Sequence, residues 1–271
     1  MIDAVVTRFG LARMPFGRDL PPSRLHRHAD CGEAAARIAW AVSDKTIAMI
    51  TGEVGTGKTV AIRSAVADLD PSAHTIIYVG NPATGVRGIL AHVVTALGGR
   101  PVHGTAALAV QAWSVLAGEA AERGRTPVLI LDEAHLLDHG QLESIRMMTN
   151  HDMDSSTPFA TILVGQPTLR HSVRLGVLAA LEQRITVRYQ MKGMTPDETA
   201  SYIRHHLEQA GRTADLFTDD AVAQIHQAAR GKPRTVNNIC TAALIATAGA
   251  GKNLVDHASA RAAIAEVTAT D

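Results

Sequence analysis

Gly52-Glu53-Val54-Gly55-Thr56-Gly57-Lys58-Thr59 constrains the fold of this 271-residue chain more than any other stretch. It has the spacing G-x-x-x-x-G-K-[ST]. Thr46-Ile47-Ala48-Met49-Ile50-Thr51 before it reads as a short buried strand, and Val60-Ala61-Ile62-Arg63-Ser64-Ala65-Val66 after it reads as a helix. Strand, glycine loop and helix in that order imply an α/β architecture. The residue types also imply a ligand. Phosphate oxygens need many donors at close range, and a tightly curled backbone supplies N–H groups. Gly52, Gly55 and Gly57 can take the positive φ values of such a curl. Glu53, Val54, Thr56 and Val60 complete the cradle. Lys58 offers a mobile cation for β- and γ-phosphates, and the Thr59 hydroxyl can ligate Mg²⁺. The helix N-terminus that starts here adds partial positive charge.

A second pattern completes the site. Val128-Leu129-Ile130-Leu131-Asp132-Glu133-Ala134-His135 is an apolar run ending in an acidic pair. It reads as a buried strand with Asp132 at its C-terminal end, where ligands bind in α/β sheets. Asp132 would hold Mg²⁺ through its water shell. Glu133 would polarise the attacking water as a general base. Alone such a run marks an ordinary strand end; behind a phosphate loop it is the second half of an ATPase site. Pro158-Phe159-Ala160-Thr161-Ile162-Leu163-Val164-Gly165-Gln166 is a further buried strand. It brings Gln166 beside the γ-phosphate if it neighbours the Asp132 strand.

Composition narrows the class. Hydrophobic residues make up 46% and charged residues 19%, as in a globular chain. Net charge is +0, with 26 basic and 26 acidic residues, so any nucleic-acid contact must come from a local patch. Aromatics at 3% argue against a base-stacking platform. Cys31 and Cys240 form no disulfide framework and imply a reduced, cytoplasmic setting. No apolar run reaches the roughly 20 residues that span a bilayer, and the N-terminus lacks a signal peptide's apolar core.

Residues 1–45 read as an arm or linker and a first helix, broken by Pro15, Pro21 and Pro22 and locally basic through Arg8, Arg13, Arg18, Arg24 and Arg27. The helix, over 33–42, carries Ile38, Trp40 and Val42 on its apolar side. His26, His28 and Cys31 lack a second ligand cluster with metal spacing. Residues 46–190 alternate strands (46–51, 74–79, 128–131, 158–164, 185–189) with helices (60–66, 88–97, 105–123, 141–150, 178–184). From 191 the strands stop. Thr195-Pro196-Asp197-Glu198 opens a helix, and Thr218 caps a second. Gly231-Lys232-Pro233-Arg234 leads into a third over 235–248, and a fourth covers 255–267. His205, His206 and His226 read as solvated or partly buried positions on these helices.

These features together resemble the AAA+ ATPases, in particular the ExeA-like group and its transposition relatives TnsC, TniB and MuB. The likeness covers nearly the whole chain. It rests on Met14-Pro15-Phe16, the glycine loop, Leu131-Asp132-Glu133-Ala134-His135, Leu163-Val164-Gly165-Gln166-Pro167, Leu181-Glu182-Gln183-Arg184-Ile185 and Gly231-Lys232-Pro233-Arg234. The resemblance implies a P-loop AAA+ fold. This is a three-layer αβα core with a parallel five-stranded sheet in the order 5-1-4-3-2, plus a C-terminal helical lid over 191–271. It implies ATP hydrolysis with Mg²⁺. It also implies roles: Gln166 as sensor 1, where many relatives have Asn; Arg234 as sensor 2; Arg184 as an arginine finger acting on a neighbour's site, with Arg188 as rival. Lys58, Glu133, Gln166, Arg184 and Arg234 are then the catalytic set.

Two functions compete. In the first, ATP drives the protein into a ring or a helical filament, hexameric per turn, on duplex DNA, where it recruits and activates a transposase. DNA contact would be to phosphates and independent of sequence. Arg100, His103 and Thr105, in the pore-facing segment between the second strand and the Asp-Glu strand, are the candidates for it. In the second, the chain is an ExeA-type secretion ATPase that supports assembly of a cell-envelope complex without binding DNA. ExeA relatives of that type carry a membrane span and a peptidoglycan-binding region that this sequence lacks, which favours the first reading. A switch or chaperone that binds only protein is a third option.

Overall fold

The computed structural model describes residues 2–17, 19–150 and 157–269. Arg18, part of the basic arm, lies outside them. In chain order the elements are α1 (Ile2–Phe9), α2 (Ala29–Ser43), β1 (Ile47–Gly52), α3 (Lys58–Asp68), β2 (His74–Val79), α4 (Gly85–Ala96), α5 (Thr105–Arg123) and β3 (Thr126–Leu131). They continue as α6 (His139–Met148), β4 (Ala160–Gly165), α7 (Pro167–Val173), α8 (Ala179–Arg184), β5 (Ile185–Met191), α9 (Pro196–Gln209), α10 (Asp219–Ala229), α11 (Pro233–Gly249) and α12 (His257–Thr268). Two compact units result. One comprises Glu33–Glu53 and Lys58–Met191; the other comprises Met1–Gly32, the loop tip Val54–Gly57 and Lys192–Asp271.

The first unit is built on a parallel sheet in the order β2-β3-β4-β1-β5, the expected order read from the other edge. Every residue of β1 and β4 is buried, and so are five of the six in β3. Strands of a parallel sheet covered on both faces read as continuous apolar runs, which is what these sequences are. At the edge, β5 alternates between buried and exposed residues. Leu129, Leu131 and Leu163 of the sheet pack with Ile89, Leu90 and Val93 of α4 and with Leu108 and Leu116 of α5. Burial of one such side chain contributes about 1.5–3 kcal/mol. Gly124 ends α5 in the left-handed region, at φ 64°. Asp138 and Gln141 start α6 with a reciprocal capping box. Helix α2 begins earlier than expected, and Trp40 is 51% exposed while Ile38 and Val42 are buried. The correction follows from the helical period. Ile38 and Val42 are four residues apart on one face, and Trp40 lies between them off that face.

The second unit is helical. Helix α9 opens with a capping box between Thr195 and Glu198, with Pro196 in its first turn, and Thr218 caps α10 by accepting from the Ala221 N–H. The described residues of 1–28 are not a free arm. Helix α1 presents Val5 and Phe9, four apart, to a core that also holds Leu11, Phe16, Leu207, Ile225, Ile239 and Leu244. Arg8 donates to the carbonyls of Lys252 and Gly251, binding α1 to the chain just after α11. The Ala12 N–H donates to the Ala210 carbonyl over 2.7 Å. The sequence hides this because Val5 and Phe9 make only one helical repeat before prolines begin.

His206 is buried, contrary to expectation: it stacks on Phe16 with ring centroids 5.3 Å apart and tilts against Tyr202 at 4.4 Å. Burial first, then the repulsion a charged ring would meet from His205, His26 and Arg13, push its pKa down to about 4. Burial, then His205 and His28, push half-buried His26 down to about 4 as well. Both rings are therefore neutral in the fold at pH 7. As pH falls below about 6.5 the unfolded chain gains protons that the folded chain refuses until about 4, so stability is lost across that window. The urea midpoint is expected to be lower at pH 5 than at pH 7. An unchanged midpoint would show that the two rings carry charge in the fold.

Candidate nucleotide-binding site

The glycine loop follows β1 directly. Gly55 and Gly57 take φ values of +85° and +95°, which side-chain-bearing residues rarely adopt. Gly52 does not share this role: it is the last residue of β1, and its conformation is that of the strand. Space adds a second reason at Gly55. A Cβ there would stand 3.0 Å from the Cβ of Arg234. Helix α3 starts at Lys58, so the N–H groups of its first turn open onto the loop. Lys58 is 8% exposed, and its Nζ donates to the carbonyls of Gly52 over 2.8 Å and Glu53 over 3.0 Å. The ammonium is thus held against the loop's own backbone. Thr56 is fully buried, and Val54 is exposed at the loop's tip.

Asp132 follows β3 and is 4% exposed. Its Oδ2 accepts the Thr59 hydroxyl over 3.2 Å and the Tyr78 hydroxyl over 2.9 Å, while Oδ1 accepts the Glu133 N–H over 2.9 Å. The test for Mg²⁺ is the donor set. A hydroxyl and a carboxylate oxygen 3.2 Å apart, beside a lysine and a glycine loop, are hard oxygen ligands of the right kind. The site fits the ion. Burial, then the hydrogen bond to Asp132, push the Tyr78 hydroxyl up to about 12, so it keeps its proton at neutral pH.

Glu133 stands at φ 54° and ψ 32°, left-handed backbone for a residue with a side chain. Such strain is typical where a site fixes a reacting group. Its carboxylate is 46% exposed, and its Oε2 lies 3.3 Å from His135 Nδ1. The same His135 nitrogen lies 3.4 Å from the Gln166 N–H. It can accept from Gln166 when unprotonated or pair with Glu133 when protonated, one at a time.

Strand β4 lies between β3 and β1, so Gln166 follows the strand that separates the acidic pair from the loop. It occupies the N-cap position of α7 and is partly buried. Arg184, at the end of α8, donates to Thr149 Oγ1 over 2.8 Å and to Asn150 Oδ1 over 2.7 Å. Arg188 is exposed and donates to the Glu182 carbonyl. Neither is brought to the loop by these bonds. In the helical unit, the Arg234 N–H donates to the Gly55 carbonyl over 3.2 Å, so the first turn of α11 meets the loop tip. Arg100, His103 and Thr105 are exposed together on the connection into α5. Tyr78 and His135 were not assigned roles from sequence. His135 sits inside a motif; Tyr78 has no local signal, because its place depends on the β2–β3 register.

A parallel sheet in this order, with a phosphate loop after β1 and an Asp-Glu pair after β3, is the fold of the P-loop AAA+ ATPases, and the residues gathered here suit nucleotide phosphates with Mg²⁺. Residues 41–173 match the family model described as AAA domain. Over 265 residues the chain is 34% identical to General secretion pathway protein A of Aeromonas hydrophila, covering 96% of this chain and 48% of that one. It thus spans about half the length of that relative. Among solved structures it resembles Cdc6p of Pyrobaculum aerophilum, with TM-score 0.67 and 17% identity over 89% of this chain and 67% of the other. It also resembles the ORC2 protein of Aeropyrum pernix in its ADPNP–ADP complexes, with TM-score 0.69 and 17% identity over 93% and 70%. At that identity the likeness is one of fold. Among the described residues no helix is long and apolar enough to cross a membrane.

Proposed function

We propose that this chain is an ATP-driven assembly ATPase of the secretion type, in which bound ATP joins copies of the chain and hydrolysis releases them. The 34% identity to General secretion pathway protein A across 96% of the chain carries this reading. It outweighs the transposition reading favoured by sequence alone. The work site would be a protein complex at the cell envelope, with the nucleotide site on the cytoplasmic side where ATP is supplied.

The chemistry follows from the residues. Loop amides and Lys58 bind the phosphates. Thr59 and Asp132 would hold Mg²⁺, which neutralises phosphate charge. Glu133 takes a proton from the water that attacks the γ-phosphorus; the bond to the β–γ bridging oxygen breaks, and ADP leaves with its electron pair. Gln166 orients the water. Arg234, and Arg184 from an adjoining copy, stabilise the charge of the transition state. In the lone chain Arg184 bonds Thr149 and Asn150, contacts it would exchange for the neighbour's phosphate.

A second reading is supported by the exposed Arg100, His103 and Thr105: a ring or filament on duplex DNA that recruits a transposase. One experiment separates the two. ATP turnover per subunit is measured against protein concentration, with and without duplex DNA at low salt, and assemblies are imaged with a slowly hydrolysed ATP analogue. Turnover that rises with concentration, assemblies that ignore DNA, and a loss of about 10³-fold in Arg184→Ala support the proposal. Assemblies that require DNA favour the transposition reading. Turnover independent of concentration would sink both.

A further inference from the structure

Tyr78 belongs to no sequence motif, yet it shares the oxygen atom at the centre of the metal site. Tyr78 pairs with Ile130, and Val79 pairs with Leu131. This register sets Tyr78 one position before the end of β2, level with the strand that delivers Asp132. Its hydroxyl donates to Asp132 Oδ2 over 2.9 Å, and the Thr59 hydroxyl donates to the same oxygen over 3.2 Å. Tyr78 is 42% exposed, and its ring lies over Gly80, where an added Cβ would stand 3.1 Å from Cε1.

We infer that Tyr78 is a positioning residue for Mg²⁺, fixing the plane of the Asp132 carboxylate so that Oδ2 stays beside Thr59. The physical reason is torsional. A carboxylate turns easily about its Cβ–Cγ bond, because that torsion has broad, shallow wells. The Glu133 N–H holds Oδ1 over 2.9 Å; the carboxylate turns as one planar unit, so a second bond, from Tyr78 to Oδ2, narrows the rocking that a single bond allows. The Thr59 hydroxyl is a poor anchor, because it must itself turn a lone pair to the metal. A tyrosine on a strand has only two torsions to the ring, and here the ring lies over a glycine that leaves room for it. It is also uncharged, so it holds the carboxylate without opposing a cation. The inference rests on the ATPase reading of the site.

The test is Mg²⁺ binding in the full chain, read without turnover. A fluorescent, non-hydrolysable ATP analogue is bound to wild type and to Tyr78→Phe, and Mg²⁺ is titrated in while fluorescence is followed. Phenylalanine keeps the ring and its packing, and a thermal midpoint within about 2 °C of wild type checks the fold. The expected result is a half-saturating Mg²⁺ concentration raised about fivefold to tenfold, the worth of one hydrogen bond to a charged group. Affinity for the analogue in EDTA should be unchanged. An unchanged Mg²⁺ titration overturns the inference. So does tighter Mg²⁺ binding, since the hydroxyl would then compete with the metal. An equal loss of affinity in EDTA also overturns it, since the change would belong to the loop. A wild type that binds the analogue without any response to Mg²⁺ overturns the ATPase reading itself, and the inference with it.

Discussion

Lys58→Ala is expected to weaken ATP binding at least about 100-fold and to abolish measurable turnover while the chain stays folded. The magnitude comes from charge. Each hydrogen bond from an ammonium to a phosphate oxygen is worth roughly 1.5–3 kcal/mol, and two such bonds exceed the ~2.7 kcal/mol of a 100-fold change. The fold should survive because the bonds Lys58 gives to the Gly52 and Glu53 carbonyls lie in the loop itself and not in the hydrophobic core. Water can replace both donors there. Titration calorimetry with ATP, beside a thermal melt, reads the two quantities separately. Binding within a factor of three of wild type would remove Lys58 from the phosphate site.

Glu133→Gln is expected to do the opposite: ATP binds as before, and turnover falls by about 10²–10⁴-fold. Glutamine matches the shape of glutamate but cannot take a proton, and general bases contribute rate of that order. The contact between Asp132 Oδ1 and the residue-133 N–H is to the backbone, so the metal site keeps its geometry in the variant. Rapid-quench measurement of a single turnover tests this directly, because it isolates chemistry from product release. A variant that retains more than a tenth of the wild-type rate would place the base elsewhere.

The sequence carried the α/β unit well, for a physical reason. Strands β1, β3 and β4 are buried on both faces and must be apolar throughout, so they stand out as runs. The loop, Asp132 and Glu133 are adjacent to those runs and need specific residue types, so they were legible too. Helix caps at Thr195 and Thr218 were legible because a cap is a local contract between a side chain and the next turn. What failed was non-local. The packing of α1 through Val5 and Phe9 depends on a core assembled some two hundred residues later in the chain. The burial of His206 depends on Phe16 from that same segment. Tyr78 became meaningful only once β2 was in register with β3. Gly52 shows the reverse error, a glycine given conformational work that its place in β1 does not require.

The left-handed backbone at Glu133 has a consequence for how this chain can change over generations. A non-glycine residue held at φ 54° costs the native state on the order of 1 kcal/mol. Glycine or asparagine at that position would relieve the cost and, on the proposed reading, would take away the base. Selection for endurance and selection for turnover therefore pull this one residue in opposite directions. On the proposed reading, a copy of the sequence released from the need for catalysis is expected to drift to glycine or asparagine there, while selection for hydrolysis holds the glutamate in place.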